Sequence, residues 1–234
     1  MKRIVICSGA GLSVASGLPT FRCQGGLWEQ YDINKVCFLP TFLENYILSN
    51  EFYAARRAQL KTVEPNAAHI GLVAAQKALA DVAEVVHYTT NVDNLLERAG
   101  AVNVNHVHGN LTELITRWGT PEAKVVDADS VQWDDPSLYP VKPNVVFFYE
   151  NAPMYQALYN EFTDLTSNDV VVVVGSSEQV VSFTYLAKMY PNQANRPKVI
   201  YITPDENETT YADVHIVKRA EDIDWVEFLS LLAK

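Results

Sequence analysis

The chain has 234 residues, of which 48% are apolar and 20% charged, and its formal net charge at pH 7 is −10. This length predicts one globular domain, or a main domain with a small insertion, and the negative charge argues against nucleic-acid partners. No apolar run approaches the roughly 18 residues of a membrane-spanning helix. The first apolar run begins so early that we expect no signal peptide. The three cysteines show no paired spacing, which suits a reducing cytoplasm. We therefore expect a cytoplasmic monomer without a membrane partner.

The chain opens with an apolar strand, Arg3–Cys7, followed by the glycine-rich string GAGLSVASGLPTFR, which begins at Gly9. Gly9 and Gly11 lack the side chains that would keep backbone N–H groups away from a phosphate. Ser13 and Ser16 are placed to cap a following helical turn, whose N-terminus favours an anion. A strand followed by such a loop predicts either a nucleotide site or only a tight strand–helix turn.

Beyond this loop, hydrophobic periodicity and helix-stop signals predict helices that alternate with strands. The predicted helices are Pro40 to about Leu60, Ala67 to about Ala80, Asp93–Ala99, Pro153–Leu165, about Val181–Met189 and Glu221–Ala233. The predicted strands are Glu84–Tyr88, Asn103–Val107, Asn144–Phe148, Asp169–Val174, Lys198–Ile202 and Asp213–Val217. This alternation predicts a doubly wound parallel sheet of the Rossmann-like α/β class, with ligands at the carboxyl ends of the strands.

Two stretches, residues 23–64 and 110–142, interrupt the alternation and predict a second, smaller and mainly helical lobe. The Rossmann-like domain then consists of residues 1–22, 65–109 and 143–234. We expect the site in the cleft between the two lobes. The segments expected along the facing strand ends are Gly9–Arg22, Thr89–Asp93, His108-Gly109, Glu150 and Gly175–Ser177.

Three side chains at strand ends are candidates for chemistry. Asn91 and Asp93 follow the strand Glu84–Tyr88 and offer an amide and a carboxylate to a carboxamide or a ribose. Asp93 would otherwise serve only to cap the next helix. His108, which precedes Gly109 at another strand end, is placed to act as a general base, the alternative being a structural histidine.

A further pair lies on the first long helix, within the string FYAARRAQL. Tyr53 and Arg56 are three residues apart and so share a helix face. A phenol beside a guanidinium can bind a carboxylate through two hydrogen bonds. The alternative interpretation is an ordinary exposed helix face.

Taken together, these strings resemble the motifs of the sirtuin family, in particular its bacterial class III branch. The matching strings are GAGLSVASGLPTFR, TTNVD at Thr89–Asp93 for the family's TQNID, HVHGNL around His108, FYENAP at Phe148–Pro153 for FGExxP, GSS at Gly175–Ser177 for GTS, and FYAARRAQL for FYxxRR. The resemblance runs from Arg3 to the C-terminus in the family's order, and residues 110–142 are its weak region.

The resemblance implies an NAD-dependent lysine deacylase that acts on acetyl- or succinyl-lysine in a protein or peptide. The acyl group is transferred to ADP-ribose and nicotinamide is released. It implies catalytic roles for His108 and Asn91. The implied NAD-binding residues are Gly9, Ala10, Gly11, Ser13, Thr20, Phe21, Arg22, Thr90, Asn91, Asp93, His108, Gly175, Ser176, Ser177 and Thr203. The implied substrate-binding residues are Tyr53, Arg56, Phe148, Tyr149 and Glu150.

The chain departs from the family pattern at three places. Thr90 replaces a glutamine, Tyr149 replaces a glycine, and residues 110–142 contain no cysteine or histidine, so we expect no zinc. A hairpin from Arg117 to Lys124 and burial of tryptophans, Trp118 and Trp133, would replace the family's zinc ribbon. These departures leave open an NAD glycohydrolase or ADP-ribosyltransferase, and also a non-catalytic NAD sensor.

Overall fold

The strands form two separate sheets in the computed structural model, which describes residues 1–20, 31–192, 194–206 and 210–234. The strands are β1 (Lys2–Ser8), β2 (Ala83–Thr89), β3 (Val104–His106), β4 (Gly109–Thr116), β5 (Lys124–Asp127), β6 (Lys142–Val145), β7 (Val170–Val174), β8 (Lys198–Thr203) and β9 (Val214–Val217). The helices are α1 (Ile33–Val36), α2 (Tyr46–Leu60), α3 (Ala67–Ala78), α4 (Leu95–Ala99), α5 (Met154–Thr163), α6 (Phe183–Met189) and α7 (Trp225–Ala233). None of these described helices combines the length and apolarity needed to cross a membrane.

The larger sheet has six parallel strands in the order β3-β2-β1-β7-β8-β9. All five valines of β7 are buried, as expected for a central strand covered by helices on both faces. The predicted doubly wound parallel fold is therefore confirmed. The chain runs outward from β1 to β2 and β3 on one side, and β7 to β9 lie on the other. The strand order thus reverses between β1 and β7, where such sheets bind ligands.

The smaller sheet is antiparallel, with the strand order β5-β4-β6. The prediction that Asn144–Phe148 continues the parallel sheet is wrong, because the strand there is β6 and it pairs with β4, with Leu114 opposite Pro143. An apolar run of this length fits either kind of sheet, and periodicity cannot tell them apart. Beyond β6 the chain leaves the sheet, and Phe148 forms an isolated bridge to Phe38.

The predicted hairpin from Arg117 to Lys124 is confirmed, because β4 and β5 pair antiparallel across it. Trp118 packs edge-on against Phe42, with 5.5 Å between ring centroids, and Trp133 lies 6.0 Å from Tyr46. Within the described ranges, no group of three or more His, Cys, Asp or Glu side chains is arranged to hold a metal ion. Both tryptophans are half-buried, not fully buried as expected, and their ring contacts join segments beside the small sheet to Phe42 and to α2.

A buried cation fixes the segment where the chain leaves the small sheet. Lys142 is only 1% exposed, and its Nζ lies 2.6 Å from the Val145 carbonyl oxygen and 2.9 Å from Glu150 Oε2. The same ammonium group lies 4.0 Å from the centroid of the Phe147 ring. Burial lowers the pKa of Lys142, and the neighbouring Glu150 carboxylate opposes that shift. The chain after β6 is thereby held against the small sheet.

We predict that Gly109→Ala lowers the free energy of unfolding more than Gly119→Ala. Both glycines have a positive φ, of +82° and +79°, but a Cβ at Gly109 would lie 2.1 Å from the Asn144 carbonyl oxygen, whereas one at Gly119 meets nothing within 4 Å. Gly119→Ala should cost about 1–2 kcal/mol through its backbone conformation alone. Gly109→Ala should cost about 3 kcal/mol or more, because the clash is added. Urea unfolding of both variants measures the difference, and equal losses would contradict the close strand contact.

Candidate active site

Two backbone turns meet where the strand order reverses, one after β1 and the other after β7. The Gly9 N–H donates to the Val174 carbonyl at 3.2 Å, and the Gly11 N–H donates to the Gly175 carbonyl at 2.8 Å. A Cβ at Gly11 would lie 2.8 Å from Gly175 Cα, and Gly175 itself has a φ of +61°. Glycine is therefore required on both sides, and the two turns form one continuous backbone surface.

The turn after β1 continues as a 3-10 helix, Ala10–Ser16. The prediction that Ser13 and Ser16 cap a helical turn is wrong, since the helix begins at Gly9 without a side-chain cap. Ser16 Oγ instead accepts a hydrogen bond from Asn66 Nδ2 at 3.0 Å. Ser13 is buried and directed toward the end of β2. Charge-assisted hydrogen bonding to a carboxylate there outweighs a local cap.

A polar cluster joins this turn to the segment after β2. Ser13 Oγ donates to Asp93 Oδ2 at 2.9 Å, and Asn91 Nδ2 donates to Ser13 Oγ at 3.2 Å. Asp93 Oδ1 accepts from the Leu95 N–H at 3.1 Å, so the same carboxylate also caps the first turn of α4. Burial raises the pKa of Asp93, and the hydrogen bonds from Leu95 and Ser13 oppose the shift. Asp93 thus bonds to the first turn of α4, as the cap interpretation predicted, and its contact with a cofactor stays a prediction.

His106 supports this cluster, although the sequence analysis did not select it. Its Nδ1 lies 2.8 Å from the Asn91 carbonyl oxygen and its Nε2 lies 2.6 Å from Glu97 Oε1. Burial alone would lower the pKa of His106, but the hydrogen bond and charge of Glu97 raise it above its usual value. Both partners accept hydrogen bonds, so the protonated ring donates to both. The alternation of His106 and His108 in HVH is the signal that could have revealed it.

His108 follows β3 and is half-buried. Its Nε2 lies 3.0 Å from the hydroxyl of Tyr155, a residue that no sequence motif marks. Burial lowers the pKa of His108, while a hydrogen bond with the backbone of Thr90 raises it; the net shift is downward. Thr90 is itself fixed by its N–H, which donates to the Ser8 carbonyl at 3.0 Å. The lowered pKa favours the neutral form of His108, the form that a general base requires.

A cavity of about 70 Å³ brings together the predicted residues of the first turn, the β2 end and α2. Its lining is Ala10, Ser13, Leu18, Pro19, Phe52, Tyr53, Arg56, Gln59, Leu60, Asn91, Val92, Asp93 and Leu111. The Arg56 guanidinium carbon lies 5.5 Å from the centroid of the Phe52 ring. Arg56 Nε is buried and has no hydrogen-bond partner among the described residues. The cavity therefore presents a cation whose hydrogen-bonding capacity is not fully used.

Tyr53 forms the neighbouring part of the cavity wall. It is buried and stacks on Phe147, with 5.4 Å between centroids and 12° between ring planes. Burial raises the pKa of Tyr53 well above its usual value, and Cys37 and Glu150 add to the shift. The phenol therefore keeps its proton and can donate a hydrogen bond. The cavity offers two donors, one from Tyr53 and one from Arg56, to an acidic group.

The segment after β6 is placed differently from the cavity residues. The Phe148 N–H donates to the Cys37 carbonyl at 2.9 Å, and the Phe148 carbonyl accepts from the Leu39 N–H at 3.0 Å. Tyr149 is 83% exposed at a φ of +65°, and Glu150 pairs with the lysine described above. Both backbone groups of Phe148 are therefore bonded within the chain, and the Tyr149 ring lies at the surface. The predicted contact of this segment with a substrate strand stays a prediction.

The two serines of the second glycine turn differ in their exposure to solvent. Ser176 is buried, and its carbonyl accepts from the Tyr201 hydroxyl at 2.6 Å, whereas Ser177 is exposed. Thr203, at the end of β8, is buried, and its Oγ1 accepts from the Asp205 N–H at 3.3 Å. Of these three, only Ser177 presents its side chain freely to solvent.

The described part of the first loop ends at Thr20, just beyond Leu18 and Pro19, which line the cavity. Phe21 and Arg22 lie outside the described residues. Their predicted contacts with a cofactor therefore stay predictions.

Glycine turns at the reversal point of a parallel sheet, beside a cavity lined by an amide and a carboxylate, define a dinucleotide-binding α/β protein. The model of the Sir2 family matches residues 9–182. The chain belongs to the Sir2 family, and the resemblance noted from the motifs is confirmed.

Curated relatives agree with this assignment over most of the chain. A protein of Helicobacter hepaticus named NAD-dependent protein deacylase is 39% identical over 213 residues, which cover 83% of this chain and 82% of the relative. A protein of the same name from Bacteroides thetaiotaomicron is 31% identical over 243 aligned positions, which cover 99% and 98% of the two chains.

Solved structures show the same fold. A Sir2 homologue in complex with ADP-ribose has a TM-score of 0.82 at 27% identity and covers 99% of this chain and 92% of its own. A Sir2 homologue in complex with NAD has a TM-score of 0.81 at 27% identity, with 100% and 91% covered.

We predict that the free energy of unfolding of Asp93→Asn, relative to that of the parent protein, increases as the pH rises. The folded-state pKa of Asp93 is raised, so the folded state binds more protons than the unfolded state between the two pKa values. Stability is therefore lost as the pH rises through the folded-state pKa, by at most about 1.4 kcal/mol per pH unit, and asparagine removes this loss. Urea unfolding of both proteins between about pH 3.5 and pH 7 gives the difference. A difference that does not change with pH would contradict the burial of the charge.

Proposed function

We propose that the chain is an NAD-dependent protein deacylase that removes acyl groups from lysine side chains of a protein or peptide. The observation that carries the proposal is the shared cavity, in which Tyr53 and Arg56 face Asn91 and Asp93 beside the two glycine turns. The relatives named NAD-dependent protein deacylase support the reaction class. A Sir2 structure with a deacetylated p53 peptide supports a peptide substrate.

The residues present fit NAD. The two glycine turns meet at the reversal point of the sheet, where folds of this class bind dinucleotides, and a side chain at Gly11 or Gly175 would prevent that contact. Asn91 and Asp93 offer an amide and a carboxylate to the nicotinamide carboxamide. When bound, NAD supplies the ADP-ribose that accepts the acyl group, and nicotinamide leaves. We assign the remaining cofactor contacts to the residues named from the motifs, including Ala10, Thr20, Phe21, Arg22, Ser176, Ser177 and Thr203.

We assign to His108 the proton transfer in this reaction. Its lowered pKa favours the neutral ring, and Nε2 contacts the Tyr155 hydroxyl at 3.0 Å. The ring can therefore take a proton from a ribose hydroxyl. A ribose oxygen activated in this way would be the nucleophile that attacks the acyl carbon.

We assign the choice of acyl group to Tyr53 and Arg56. A succinyl carboxylate would meet a phenol donor and a planar cation, whereas an acetyl group would leave both without a partner. Such charge-assisted contacts contribute about 1.5–3 kcal/mol. We therefore propose a preference for succinyl-lysine over acetyl-lysine.

The second candidate is an NAD glycohydrolase or ADP-ribosyltransferase. It is favoured by the exposed ring of Tyr149, where the family has glycine, and by the Phe148 backbone, whose N–H and carbonyl are already bonded within the chain. Thr90 also lacks the amide of the family's glutamine.

We further propose that the protein is a cytoplasmic monomer without nucleic-acid partners. We propose that its smaller lobe comprises residues 23–64 and 110–142 together with β6.

The experiment that separates the two candidates measures nicotinamide release from NAD with acetyl- or succinyl-lysine peptides and without peptide. Release that requires peptide, with one deacylated peptide per nicotinamide, supports the deacylase. Release at the same rate without peptide supports the glycohydrolase and contradicts the deacylase.

We predict that His108→Ala lowers deacylation by about 10²–10⁴-fold, the usual contribution of a general base. NAD binding should stay within a few-fold, because the proton transfer follows seating of the cofactor. Single-turnover deacylation and calorimetric NAD titration measure the two quantities. Full deacylase activity in a folded variant would show that His108 is structural.

We predict that Arg56→Met lowers kcat/KM for the succinyl peptide by one to two decades, roughly the value of a charge-assisted contact, and spares the acetyl peptide. Methionine removes the charge but keeps much of the packing of the side-chain stem. The measurement is kcat/KM for both peptides in the parent protein and the variant.

Arg57→Met is the matched control, with the same substitution one residue along α2. Arg57 faces a different cavity, of about 350 Å³, that is also lined by Arg98 and Asp129. The succinyl-to-acetyl ratio should change in Arg56→Met only. An unchanged ratio in Arg56→Met would contradict acyl recognition, and loss of both activities would make Arg56 structural.

A further inference from the structure

Tyr155 lies against the proposed base without belonging to any motif that identified the site. It is the second residue of α5, and its hydroxyl is 3.0 Å from His108 Nε2, with the rings tilted by 50° at 5.9 Å between centroids. Burial raises the pKa of Tyr155, and Tyr159 adds to the shift. The phenol therefore keeps its proton at neutral pH and is able to donate a hydrogen bond.

Neighbouring aromatic rings hold Tyr155 in this position. Tyr159, one helical turn along α5, lies 6.0 Å from the Tyr155 ring. Tyr159 in turn stacks on Tyr190, with 5.0 Å between centroids and 15° between planes. The hydroxyl that contacts His108 therefore belongs to a ring that itself packs against a second aromatic ring.

The contact with Tyr155 points to the nitrogen that accepts. A phenol that keeps its proton can donate a hydrogen bond, and its partner on the ring is Nε2, at 3.0 Å. A neutral imidazole has one N–H and one lone pair, so an Nε2 that accepts from the phenol leaves the proton on Nδ1.

We propose that Tyr155 is a positioning residue that holds His108 as the Nδ1–H tautomer, with Nε2 as the atom that accepts the proton. The proposal rests on the proposed function only in giving His108 the role of base. In that step the ribose hydroxyl takes the place of the phenol at Nε2 and transfers its proton there. Its oxygen keeps the electron pair, and the ring becomes an imidazolium that donates from both nitrogens. No oxidant or further reactant is needed.

Nitrogen NMR of protein labelled with ¹⁵N-histidine tests the tautomer directly, without any assay of activity. His108→Ala identifies the His108 signals among those of the five histidines. We expect the parent protein at pH 8, about 1.5 units above the usual histidine pKa, to show a protonated Nδ1 and an unprotonated Nε2. A protonated Nε2 in the parent protein would overturn the proposal whatever any variant does.

Tyr155→Phe removes only the hydroxyl, and Tyr159→Phe is the matched control on the same helix, since Tyr159 contacts Tyr155 but is not among the contacts of His108. We expect Tyr155→Phe to move the His108 signals toward a mixture of tautomers. We expect its kcat to fall roughly tenfold, part of the about 10²–10⁴-fold that a general base contributes, with an unchanged KM for NAD. Tyr159→Phe should change neither quantity.

The outcomes separate this proposal from the proposed function. A changed tautomer in Tyr155→Phe, in a protein that does not deacylate any peptide, would support the role of Tyr155 and contradict the deacylase. An unchanged tautomer and an unchanged kcat in Tyr155→Phe would overturn the role of Tyr155 and leave the deacylase intact. Equal changes in Tyr155→Phe and Tyr159→Phe would also overturn it, because the effect would then come from packing of the aromatic row.

Discussion

The contact between the two glycine turns determines how the site is assembled. The Gly11 N–H bonds to the Gly175 carbonyl, and a Cβ on Gly175 would lie 2.4 Å from the Leu12 backbone nitrogen. At such distances any side chain would force the ends of β1 and β7 apart. The 3-10 helix that follows the first turn places Ser13 within hydrogen-bond distance of Asp93, beyond the end of β2. The contact of the two glycine turns and the position of the polar cluster therefore both follow from one close backbone approach.

Hydrogen bonds of the polar cluster connect the first glycine turn to residues expected to act in the reaction. Ser13 contacts both Asn91 and Asp93, and His106 holds the Asn91 backbone while pairing with Glu97. In a partly buried site each such group costs free energy if it loses its partner, so the cluster favours one arrangement. It fixes the amide and carboxylate that face the cavity. Its contribution is to orientation more than to net stability.

The sequence predicts the features that depend on local patterns and misses those that depend on tertiary partners. The parallel sheet follows from the alternation of elements, and the glycine turns follow from residue types at a strand end. The sheet to which β6 belongs is not predictable, because its apolar run suits both sheets. The partner of Ser13 is equally hidden, since Asp93 is distant along the chain. Tyr155 carries no signal, because only the packing of α5 brings its hydroxyl to His108.

The cavity that faces Asn91 and Asp93 is built from the core that joins the small sheet to α2. Tyr53 stacks on Phe147, and Phe147 packs against both Phe42 and the buried ammonium group of Lys142. This core of aromatic and aliphatic side chains also contains Leu95 of α4 and Leu111 of β4. In a chain whose residues 110–142 offer no cysteine or histidine, the contacts that hold this region together are the same contacts that shape the cavity wall. The proposed recognition of the acyl group and the stability of the small sheet both depend on contacts of Phe147, so a substitution that changes one should change the other.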